Sequence, residues 1–166
     1  MHVLPVTLFA VIETSTWTTD EVRSWADAVI QAAAVPASWV SDLSLVEARR
    51  DVSAVAMRAV EDAGLLLPDD FAELLVGLLY LRLQRGDLSR EKFVAEVGDV
   101  VDAYHASAFD LESWTRNAAN FDSGESPKAE LGTLGARASD ALGMLKEIAQ
   151  AAGDPSIARG ATGRLC

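Results

Sequence analysis

"FAELLVGLLYLRL", residues 71–83, is the most apolar run in the chain, and its reading decides the fold. It is too short to cross a bilayer and carries Glu73 and Arg82. A helix that is apolar nearly all round belongs among other helices. Pro68, Asp69 and Asp70 give it a start signal. Arg82 and Arg85 suit the negative end of its dipole, and Gly86 is a stop. The sequence therefore predicts a buried central helix over 71–83 inside an all-α, single-domain bundle of about six or seven helices.

The flanking segments agree. Upstream, "VEARRDVSAVAMRAVEDAG" (46–64) turns Val52, Val55, Ala56 and Val60 inward, with Gly64 as its stop. Ser44 and Glu47 precede it at capping-box spacing. Earlier still, Thr18 and Glu21 form the same pattern in front of a helix with Val22, Trp25, Ala26, Val29 and Ile30 on one stripe. Trp25 is expected in the core. Pro36 redirects the chain into "PASWVSDLSL" (36–45), a turn or short helix with Trp39 and Leu43 inward. "PVTLFAVIE" (5–13) reads as a short helix. Its β-tolerant residues also suit an edge strand, and the helical neighbours favour the helix.

Downstream, Ser89 caps a helix whose stripe is Phe93, Val97, Val100, Val101 and Tyr104. "DLESWTRNAANF" (110–121) suggests another short helix and "DSGESP" (122–127) a loop. Ser126 then caps a final helix with Pro127 at its first position, running to about Ala152. Gly132, Gly135 and Gly143 each cost that helix about 1 kcal/mol against Ala, and permit close packing or a break. The helical domain is expected over 1–154, with residues 155–166 as a flexible C-terminal tail.

Chemistry is hard to find. The only cysteine is Cys166, so no intramolecular disulfide forms and a reducing, cytoplasmic setting is expected. The first basic residue is Arg23, which argues against a secretory signal. His2 and His105 belong to no HExxH, CxxC or EF-hand pattern. There is no G-x-S-x-G elbow, Walker loop or GxGxxG. The expectation is a protein without catalysis, metal or cofactor.

Charge is the strongest functional signal. The formal net charge is -11. That repels nucleic acid and anionic membranes and favours basic partners; it also serves solubility alone. Residues 1–48 carry six acids against one base, and residues 87–125 nine against three. Glu96, Asp99 and Asp102 lie opposite the apolar stripe of the helix after Ser89. Glu91 stands at that helix's start, with Asp110 and Glu112 just beyond its end. These six are the candidate partner-binding residues.

"DEVRSWADAVIQ" followed by "VPASWVSDLSL", and later "LLYLRLQRGDLSREKFVAEVGDVVDAY", resembles small helical immunity proteins of bacterial toxin–antitoxin and contact-dependent inhibition systems. The likeness covers roughly residues 5–105 and lies in the order of segments and hairpin pattern. It implies a monomer or homodimer that binds and neutralises a cognate toxin domain, basic in charge, without chemistry of its own. Two other readings stand beside it. One is a helical small-molecule-binding domain or enzyme, with Trp25, Trp39 or Trp114 in an apolar pocket. The other is a structural subunit that dimerises through an exposed apolar helix.

Overall fold

The computed structural model describes residues 4–33, 35–104 and 125–152. Among them are seven helices and no strand, so the fold is all-α. The helices are α1 (Leu4–Glu13), α2 (Thr19–Ala32), α3 (Ser38–Leu45), α4 (Arg49–Asp62), α5 (Phe71–Arg85), α6 (Arg90–Tyr104) and α7 (Glu125–Ala152). The described residues divide into two compact units, one of those up to 68 together with those from 141 on, the other of those between 69 and 140. The short helix expected over 110–121 and the tail over 155–166 lie outside the described residues.

In the first unit, α1 resolves the helix-or-strand alternative in favour of the helix. Every residue from Leu4 to Ile12 is buried. The run has no polar alternation, so a strand would have had no face to give to water. Arg49 donates to the carbonyls of Glu13 (3.2 Å) and Ile12 (3.4 Å). It thereby partners the Glu13 carbonyl and adds to the Ser15 amide that already donates to Ile12 (3.0 Å), at the negative end of α1. The Ser53 hydroxyl bonds the Glu13 carboxylate, and α1 packs along α4.

The box in front of α2 forms in full. The Glu21 amide donates to Thr18 Oγ1 at 3.2 Å, and the Thr18 amide donates to Glu21 Oε2 at 2.7 Å. The second expected box does not form. Ser44 lies inside α3 and its hydroxyl donates to Asp27 Oδ1 of α2 at 2.5 Å. Helix α4 starts at Arg49 behind Ala48, with no side-chain cap. At its far end Gly64 takes φ +63°, and the Leu65 amide reaches back to the Val60 carbonyl at 3.0 Å. Trp25 and Trp39 stack between α2 and α3, with ring centroids 6.2 Å apart.

The second unit is built from α5, α6 and the first part of α7. Helix α5 is buried from Phe71 to Leu79 apart from Glu73, which is half-buried. Val76, Leu79, Phe93, Val97, Leu131 and Leu134 share its core. Rings close the edges: Phe71 meets Tyr104 edge-on at 5.2 Å, and Tyr80 tilts against Phe93 at 6.3 Å. Helix α7 starts at Glu125, one residue before the expected Ser126 cap. Pro127 therefore lies in its first turn, where amides have no helical partner to lose. The helix runs unbroken past its three glycines. Among the described residues no helix is long and apolar enough to cross a membrane.

Candidate functional site

Helix α6 positions four of the six acids singled out by sequence. Residues step by about 100° around a helix axis. Phe93, Val97 and the neighbouring apolar side chains take one arc, which forces Glu91, Glu96, Asp99 and Asp102 onto the opposite one. Glu91, Asp99 and Asp102 are exposed. Glu96 is half-buried and accepts a charge-assisted hydrogen bond from Arg82 Nη1 at 3.3 Å, so it ties α6 to α5. Lys92 stands on the same arc and offsets part of its charge. Asp110 and Glu112 lie outside the described residues.

Glu91 also belongs to the start of the helix. Ser89 Oγ accepts from the Lys92 amide at 3.3 Å. The Glu91 carboxyl is held below its ordinary pKa by a hydrogen bond from its own amide, then by one from the Ser89 hydroxyl, with the Arg90 charge adding to both. Asp99 and Asp102 carry no such duty among the described contacts. They are the acids on this arc that are most available to a partner.

A second feature lies in the first unit. The first turns of α2 and the last turns of α7 enclose an open cleft of about 440 Å³. Trp17, Asp20, Glu21, Ser24 and Trp25 line one side, and Lys146, Ala149 and Gln150 the other. Trp25 is a fixed wall. It is only 4% exposed, its Nε1–H donates to the Leu145 carbonyl at 2.8 Å, and Trp39 stacks behind it. The sequence marks Trp25 as a core or pocket residue and residues 1–48 as acidic, but gives no sign of Trp17, Lys146 or Gln150. Trp114 lies outside the described residues.

No family model, curated protein or solved structure matches the chain. Among the described residues no three His, Cys, Asp or Glu side chains are grouped to hold a metal ion. Among the described residues the large apolar side chains left exposed are Val35, Leu45 and Leu66, which lie in connections or at the last residue of α3. What the two surfaces offer is charge, indole and hydrogen-bonding groups.

Proposed function

We propose that this is a non-catalytic binding protein of the immunity type, which uses the acidic arc of α6 to occupy a basic protein domain and so neutralise it. The observation that carries the reading is the exposure of Asp99 and Asp102 opposite a helix stripe anchored by Phe93 and Val97. Like charges at this spacing destabilise an isolated helix by about 0.2–0.5 kcal/mol per pair. A cationic partner would turn that small penalty into attraction. Opposite charge speeds encounter and rejects wrong partners more than it adds raw affinity. The -11 formal charge points the same way.

The test is capture from a host lysate with the native protein and with an Asp99→Lys/Asp102→Lys variant. Glu91 and Glu96 are left in place because the helix start and the Arg82 pair use them. The expected result is one basic protein, held at near-equal stoichiometry by the native chain, weakened by salt and lost from the variant. Equal retention by the variant removes the α6 arc from the binding surface.

A further inference from the structure

The cleft between α2 and α7 has a polarity that the acidic-face reading does not use. On the α2 side stand an indole, Trp17, and two carboxylates, Asp20 and Glu21. Glu21 Oε2 is already engaged by Thr18. Asp20 is exposed, and its contact with Arg23 is loose at 3.8 Å, with 91% of the Asp20 side-chain surface still open. An indole face beside a carboxylate suits an organic cation, because the ring quadrupole and the anion attract the same charge. On the α7 side stand Lys146 and Gln150, both exposed donors. Among the described residues Lys146 forms no ion pair. Ala149, on α7 between Lys146 and Gln150, is small. The lining thus sets an indole and two carboxylates on the α2 side against an ammonium and an amide on the α7 side.

We propose that this cleft binds a small zwitterion, with a guanidinium or ammonium head at Trp17 and Asp20 and a free carboxylate at Lys146 and Gln150. Neither a simple cation nor a simple anion would use both sides. A free basic amino acid carries these groups. So does a peptide chain that ends in a basic residue, and the two share the chemistry. The site is independent of the α6 arc, so its failure leaves the protein-binding reading untouched, and the reverse also holds.

The probes are L-arginine, agmatine (the same head group without the carboxylate), and acetyl-Gly-Gly-Arg with a free or an amidated C-terminus. The readout is the indole N–H resonance of Trp17 in ¹H–¹⁵N spectra of the full chain, assigned with Trp17→Phe. L-Arginine is expected to shift that resonance saturably in the millimolar range proper to so small a ligand, and agmatine to bind more weakly. Lys146→Met should weaken arginine about three- to fivefold and leave agmatine unchanged, while Asp20→Asn should weaken both by a similar factor. Both positions are exposed, so the variants keep the fold. Tighter binding of the free-carboxylate tripeptide than of arginine assigns the site to a chain terminus; the reverse assigns it to a free amino acid. An unmoved Trp17 resonance overturns the proposal. So does agmatine binding as well as arginine, or Lys146→Met without effect.

Discussion

Ser89 shows how one short side chain sets the properties of its neighbours. Its oxygen accepts the Lys92 amide and its hydrogen is available to the Glu91 carboxylate, whose pKa is lowered first by Glu91's own amide and then by this hydroxyl. A carboxyl whose pKa is depressed in the folded chain adds stability above its unfolded pKa, and loses it as the pH falls through the folded value. The window therefore lies on the acid side of an ordinary glutamate. In a ¹³C-detected titration Glu91 should be among the last glutamates to protonate as acid is added. Ser89→Ala should move it back toward the ordinary value and cost about 1 kcal/mol in denaturant unfolding at neutral pH, as for loss of an N-cap. A Glu91 that titrates with the other exposed glutamates would remove this linkage. Glu96, one turn on, instead pairs with Arg82 at 3.3 Å, a side chain only 15% exposed, and so joins α6 to α5. Two acids on one face thus do different work.

At the scale of the element, the glycines of α5 and α7 look alike in sequence and differ in space. A Cβ on Gly77 would run into the backbone carbonyl of Leu134, and backbone cannot step aside as a side-chain tip can. A Cβ on Gly132 would meet nothing within 4 Å. Gly77→Ala should therefore destabilise by about 1–3 kcal/mol through overpacking, while Gly132→Ala should stabilise by up to about 1 kcal/mol through helix propensity. Thermal and urea unfolding of the two variants checks both signs; a Gly77→Ala protein as stable as the parent would mean that α5 and α7 do not approach this closely. The contrast also shows what sequence can carry. The Thr18–Glu21 box and the stops at Gly64 and Gly86 were legible because a cap is decided within a few residues. The stripe of α6 was legible because its period is that of the helix. Ser44 misled because its hydroxyl found Asp27, seventeen residues away on another helix. Gly77 against Leu134, Glu96 against Arg82, and the joining of Trp17 to Lys146 across the cleft are contacts between elements, and no local pattern encodes them.

For the molecule as a whole the issue is whether the -11 charge acts by its amount or by its placement. Amount alone keeps a protein dispersed and attracts any basic solute. Placement selects a partner and an orientation. The two separate in a variant that conserves charge: Asp99→Asn and Asp102→Asn on α6, offset by Gln31→Glu on α2 and Gln84→Glu on α5, all four at exposed positions. The formal charge stays at its native value. If placement governs recognition, association with a captured basic partner should slow about tenfold in this variant at low ionic strength. The gap should narrow between about 0.01 M and 0.15 M salt, as the Debye length falls from about 30 Å to about 8 Å. Dissociation should change less, because rim charges act chiefly on encounter. Stopped-flow association traces at several salt concentrations give both rates. If native and variant chains associate equally fast at every salt concentration, the charge is a property of the whole surface, and α6 has no privileged part in finding a partner.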